Sequence, residues 1–277
     1  RLDQLMHHHS ATPKAMCQAL WKHRELLIAA TVREVLGRYR GSTFGLLWSI
    51  FNPVFLLSVY TFVFSVVFRS RWSGGGGSKT EFALVLFAGL IFFNMLSDCL
   101  SRAPTVITSN VNYVKKVIFP LEILPVIVVF SAAFHALISM GVWFLAYFLF
   151  VGPPSLNVIY LPVLVLSLLW ISMGVSWILS SLGVYLRDVG QVVGVFTTVL
   201  MFLSPIFYPV SALPELYRNI LYLNPLTYII EQARIVMYYG GGGDYLLLIF
   251  GAAGSLGFAW FGFFTFQKMR PGFADVL

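Results

Sequence analysis

Residues 121–151 read LEILPVIVVFSAAFHALISMGVWFLAYFLFV, 31 positions holding one carboxylate (Glu122), one histidine (His135) and no lysine or arginine. A helix rises about 1.5 Å per residue, so roughly 20 mostly apolar residues cross a hydrocarbon core about 30 Å thick. This stretch exceeds that length. Five more reach it, at 44–68, 82–101, 158–185, 189–208 and 245–267. Between them lies almost nothing large enough to fold in water. The sequence therefore predicts an all-α polytopic membrane protein with six transmembrane helices.

Composition agrees. Charged residues are 10% of the 277 and apolar ones 58%, against roughly 25% and 45–50% in a soluble domain. The few charges sit in short segments whose side can be read. Six spans put both termini on one side, with the 102–120 loop and the Arg187–Asp188 turn. That side carries 13 Lys and Arg, against five opposite: Arg69, Arg71, Lys79, Arg218 and Arg234. By the positive-inside rule both termini are expected in the cytoplasm. Anionic lipid and topology then account for the net charge of +7 without nucleic acid. Cys17 and Cys99 are too few for a disulfide framework and are expected to be reduced. His7–His9 reads as a tag remnant or solvated tail, so no metal site is expected.

Outside the spans, residues 14–40 have helical periodicity. Trp21, Ile28, Val32, Val35, Leu36 and Tyr39 share one face, away from Lys22, Arg33, Arg38 and Arg40. Such a helix lies in the membrane interface; docking on another subunit is the alternative. The run 73–80, SGGGGSKT, ends like a phosphate loop. It has Ser73 and Ser78 where that loop needs glycines, and no strand precedes it, so it reads as a linker. After the fifth span, Pro205, Pro209, Pro214 and Pro225 interrupt an otherwise apolar stretch, 205–228. The piece 214–223 spans about 15 Å as a helix, too short to cross. Short re-entrant helices fit, and broken backbone at that depth must be buried or line a cavity.

Two groups of side chains point to candidate sites. Phe44, Trp48, Phe51, Phe55 and Phe62 recur at steps of four, three, four and seven, on one face of the first span. Lipid contact or helix packing is one reading. A surface on which a ligand's apolar faces stack without a fixed hydrogen-bond pattern is the other. Ionisable groups within membranes are functional candidates: His135 reads as a buried hydrogen-bonded residue and Asp98–Arg102 as an intrahelical pair. No dispersed acid series, as a proton-driven transporter needs, and no converging carboxylates or histidines, as a membrane enzyme needs, are present.

Four runs carry a resemblance. They are 38–48 (RYRGSTFGLLW) with Asn52-Pro53; 112–120 (NYVKKVIFP) followed by 122–125 (EILP); 185–188 (YLRD); and 224–226 (NPL) with Arg234. In this order they resemble the ABC-2-type permeases that export polysaccharides, over roughly 25–270. The nearest subgroup is the O-antigen exporters of Gram-negative bacteria; capsule and teichoic acid exporters share most features. That family often has a basic residue after Phe-Pro, where this chain has Leu121.

The resemblance implies a transport subunit, not an enzyme, with no catalytic residues. It moves an undecaprenyl-pyrophosphate-linked glycan across the bacterial inner membrane. It implies a homodimer, with the aromatic stripe lining a conduit between two copies, and a separate ATPase subunit carrying ATP and Mg. Arg33, Arg38 and Arg40 become candidates for the lipid pyrophosphate; anchoring to anionic lipid is the plainer alternative. Tyr208, Tyr217 and Tyr222 become an outer gate within 205–228. Tyr113, Lys115, Lys116 and Phe119, then Arg187 and Asp188, become the ATPase contacts. The chain so divides into an arm (1–43), a transmembrane domain (44–267, with a coupling segment at 102–120) and a tail (268–277).

Overall fold

The computed structural model describes residues 11–63, 79–114 and 119–277. Every regular element among them is helical. Thr12 starts α1 (Pro13–Lys22) by accepting a hydrogen bond from Ala15 N–H at 3.2 Å, and Pro13 follows where a missing N–H costs nothing. At His23, whose backbone is not helical, the expected single arm helix breaks, and α2 (Arg24–Arg38) follows. The arm is also less one-sided than its periodicity suggests. Trp21, Ile28, Val32 and Leu36 face outward, but Val35 joins Leu27 and Ala30 against the bundle. Tyr39 lies just past the last helical residue, where helical phase no longer applies, and turns inward.

Among the described residues five helices are long and apolar enough to cross a membrane: Gly45–Phe62, Thr80–Thr105, Ile123–Phe150, Leu156–Tyr185 and Tyr245–Val276. Their α-helical parts are α3 (Trp48–Phe62), α4 (Lys79–Arg102), α6 (Ile123–Phe150), α7 (Leu161–Tyr185) and α11 (Tyr245–Met269). A single turn, α5 (Val111–Val114), precedes α6, and α12 (Phe273–Val276) follows α11. The expected fifth span at 189–208 is helical only as α8 (Val189–Phe202), about 21 Å long. Pro205 disfavours helical backbone at Ser204, and Pro209 stops any restart. Two short helices follow, α9 (Glu215–Tyr222) and α10 (Pro225–Arg234), the second capped by the Asn224 side chain on Leu226 N–H. The end of the first expected span and the glycine linker after it lie outside the described residues.

α4 runs through the middle, packed by α3, α6, α7, α8 and α10. Its apolar residues from Phe82 to Leu100 are nearly all buried. Two tryptophans lock the neighbours together: Trp143 Nε1 donates to Leu84 O at 2.8 Å and Trp177 Nε1 to Glu122 O at 2.9 Å. α7 and α11 make the most extensive contact. At their crossing Gly174 meets Gly262 so closely that a Cβ on Gly262 would lie 2.3 Å from Gly174 O. Small residues permit such approach where helices associate by packing alone. Gly262→Val is therefore expected to cost about 3 kcal/mol or more through overpacking, read as loss of folded protein from detergent extracts. Wild-type yield and melting temperature for that variant would contradict this crossing.

Candidate functional site

The arm, the 103–113 loop, the Arg187–Asp188 turn and the tail gather at one end of the bundle, here the terminal face. There α2 packs on α6, and the ionisable groups of two segments, the arm and α4, meet. Arg38 Nη2 bridges both oxygens of Asp98 at 3.1 and 2.8 Å. Arg102, one turn further along α4, donates to Asp98 at 3.4 Å and to Glu34 of α2. Two cations and two anions, all only partly exposed, thus form one neutral network joining arm to α4. The i,i+4 spacing foretold only the Asp98–Arg102 edge. Its other two members come from a helix 60 or more residues away, which spacing cannot reveal.

Of the three arm arginines expected at a lipid pyrophosphate, Arg38 is thus engaged by Asp98. Arg33 donates to Tyr113 Oη at 3.3 Å, and Arg40 is exposed. Beneath α2 a cavity of about 630 Å³ is lined by Arg33, Glu34, Arg102, Asn110, Tyr113 and Phe119, among others. A second, of about 230 Å³, lies behind α3 and takes Arg38, Asn52, Asn94, Asp98 and His135. His135 Nδ1 is 3.4 Å from Tyr39 Oη, while its Nε2 is buried with no hydrogen-bond partner among the described residues. The histidine does have an acid for company, since Asp98 lines the same cavity.

The five aromatic residues of the first span face away from these cavities. Phe44, Trp48, Phe51, Phe55 and Phe62 are all 41–69% exposed on the surface of the single copy. The first three form an edge-to-face cluster with ring centroids 5.9–6.3 Å apart. The opposite face of α3, with Ser49, Asn52 and Pro53, is the one that closes the smaller cavity. α8 presents a comparable outward face of Val192, Val195, Phe196, Val199 and Phe202. α3 and α8 thus each expose a long apolar face, and α3 keeps polar groups behind its own.

Among the expected ATPase contacts, Tyr113 and Phe119 stack with centroids 4.2 Å apart and planes 19° from parallel. Lys115 and Lys116 lie outside the described residues. Arg187 and Asp188 are exposed, and the Asp188 side chain makes no capping bond at the start of α8. Beside them the tail folds back: Arg270 pairs with Glu122 at 2.7 Å, and Tyr185 Oη donates to Met269 O at 2.7 Å. Phe273 is fully buried against Tyr185 and Phe266. Sequence reasoning missed the Glu122–Arg270 pair, although a carboxylate opening an apolar run was a fair signal of a partner.

At the far end, Ser204, Pro205 and Ile206 are buried, as broken backbone in a membrane requires. Tyr208 Oη donates to Phe202 O at 2.7 Å, satisfying a carbonyl at the end of α8. Tyr222 Oη donates to Glu231 at 2.9 Å; burial first, then that carboxylate, push its phenol above the usual range, so it remains a donor. Tyr217 is exposed with Leu216, Ile220 and Leu223, so within one copy the outer face of α9 is uncovered. α10 by contrast is buried along α4, and its last residue, Arg234, is 4% exposed.

Residues 25–238 match the family model described as ABC-2 type transporter. An O-antigen export system permease protein RfbA of Myxococcus xanthus is 28% identical over 95% of this chain and 99% of its own length. One of the same name from Klebsiella pneumoniae is 26% identical over 91% of this chain and 95% of its own. The polysialic acid transport protein KpsM of Escherichia coli is 24% identical, covering 74% of this chain and 78% of its own length.

Proposed function

The chain belongs to the ABC-2 type transporter family, and on that premise we propose that it is the membrane subunit of an ATP-driven exporter of lipid-linked polysaccharide, an O-antigen. Transport rather than catalysis is its work. ATP and Mg bind a separate cytoplasmic ATPase, two copies of which serve two copies of this chain. The termini are cytoplasmic and the membrane is the bacterial inner membrane. The observation that carries this reading is the aromatic stripe from Phe44 to Phe62, about 27 Å of ring surface on the outside of one copy. A second copy facing it encloses a path whose walls grip sugars by stacking, so that a long chain slides. Arg33 and Arg40 meet the pyrophosphate first, with Arg38, shared with Asp98, completing the set. Tyr208, Tyr217 and Tyr222 close the outer end. The likeness to a polysialic acid transport protein favours, as second reading, a capsule glycan moved by the same apparatus.

Purification from native membranes, with the bound ATPase and glycan identified, tests this directly. In inverted vesicles glycan uptake is expected to stop when ATP is withheld and to continue when a protonophore collapses the proton gradient. The reverse pattern would sink the ATP-driven reading.

A further inference from the structure

Arg234 is the buried cation that the transport reading leaves unused. It ends α10, and its three nitrogens donate to three backbone carbonyls: Nε to Val85 O at 3.0 Å, Nη1 to Pro205 O, and Nη2 to Ile206 O at 2.7 Å. Val85 belongs to α4. Pro205 and Ile206 belong to the irregular segment where α8 has ended and no helix takes up the carbonyls. In a bilayer such groups must be satisfied within the protein, and a guanidinium offers donors in fixed, divergent directions that a lysine cannot reproduce. α4 makes room for it with a glycine: a Cβ on Gly89 would lie 2.9 Å from Arg234 Nη2. Asn224 adds a second tie, from Nδ2 to Ser204 Oγ at 3.0 Å. Beyond this root the outer segment is lightly held, since α9 leaves Leu216, Ile220 and Leu223 exposed.

From this geometry we infer that Arg234 is a positioning residue for the outer closure: it pins the root of 205–228 to α4, so that closure and second span move as one unit and the path stays sealed between transport cycles. The inference rests on the outer-gate reading above. Its lever is the side-chain fork, because these three acceptors are carbonyls on two separate segments.

The test uses the transporter as it assembles, purified and reconstituted in vesicles, with two readouts. One is resting efflux of a trapped monosaccharide; the other is labelling of Tyr217→Cys by an external thiol probe, at rest and with ATP. Arg234→Lys keeps the charge and loses the fork. It is expected to reach the membrane, to raise resting efflux about tenfold or more, as loss of a charged hydrogen bond shifts a two-state closure, and to make Tyr217→Cys equally reactive in both states. Gly89→Ala, which crowds the guanidinium without removing it, is expected to raise efflux less. Wild-type efflux and state-dependent labelling in the Lys variant overturn the inference alone. Uniform labelling in the otherwise wild-type protein overturns the gate reading and the inference with it. If neither variant accumulates in the membrane, Arg234 serves folding and the inference is likewise overturned.

Discussion

Replacing Trp48, Phe51 and Phe55 together by alanine will reduce glycan export about tenfold or more, an effect on turnover rather than on the amount of transporter. The rings are 41%, 50% and 69% exposed, so truncation removes little that holds one copy together. What it removes is a continuous ring surface: Trp48 touches Phe51 and both touch Phe44 edge to face. An aromatic contact is worth about 0.5–1.5 kcal/mol beyond the area it buries. Three lost from each of two copies turn a smooth succession of stacking sites into isolated ones. Export in cells, normalised to membrane-inserted protein, measures the effect, and cross-linking reports whether two copies still associate. Unchanged export refutes the conduit. Loss of association with normal insertion would make the stripe a seam between copies instead.

How much of this was legible beforehand follows from which interactions are local. The six apolar stretches and the arm were read from periodicity and length, because burial in lipid imposes a signal on every residue of a span. The proline interruptions gave the short helices α9 and α10, since a missing N–H is a local fact. The length of α8 was misjudged: hydropathy continues through Leu203, Ile206 and Phe207 although the helix stops at Phe202. Periodicity also made the arm one helix, with nothing in its sequence to mark the break at His23. Pairings across the bundle were out of reach. Arg38 with Asp98, Arg102 with Glu34, Glu122 with Arg270 and Arg234 with Val85 join residues 60 to 149 positions apart. Counting Arg234 as an outer-loop charge was reasonable for topology and wrong for its surroundings, because a cation at a helix end does not announce whether it faces water or carbonyls.

Changing Tyr113 and Phe119 together to alanine will strip the ATPase from the purified complex, or leave hydrolysis running about tenfold or more out of step with export, as loss of an interface anchor does. The two rings stack at 4.2 Å and are half-buried, so Tyr113 and Phe119 hold one another in a fixed relative orientation. A pre-ordered pair of rings presents one shape to a partner, whereas rings that must be ordered at each encounter weaken binding. The pair also has somewhere to send a push. Phe119 is followed by Pro120 and then Glu122, whose carboxylate holds Arg270 of the tail and whose carbonyl accepts from Trp177 of α7. On the proposed coupling role, a push on Phe119 would be passed to α6, to Trp177 of α7 and to Arg270 after α11 through these contacts. The competing surface, Arg187–Asp188, is exposed, and its neighbour Tyr185 ties it to the tail through Met269 and Phe273 rather than to the start of α6. Tyr113→Phe keeps the stack and loses only the bond from Arg33 at 3.3 Å, so near-normal coupling is expected of it. Complex formation on purification and the ratio of ATP hydrolysed to glycan exported are the measurements. If the double variant still binds the ATPase and exports glycan normally, the segment is not where the two subunits communicate.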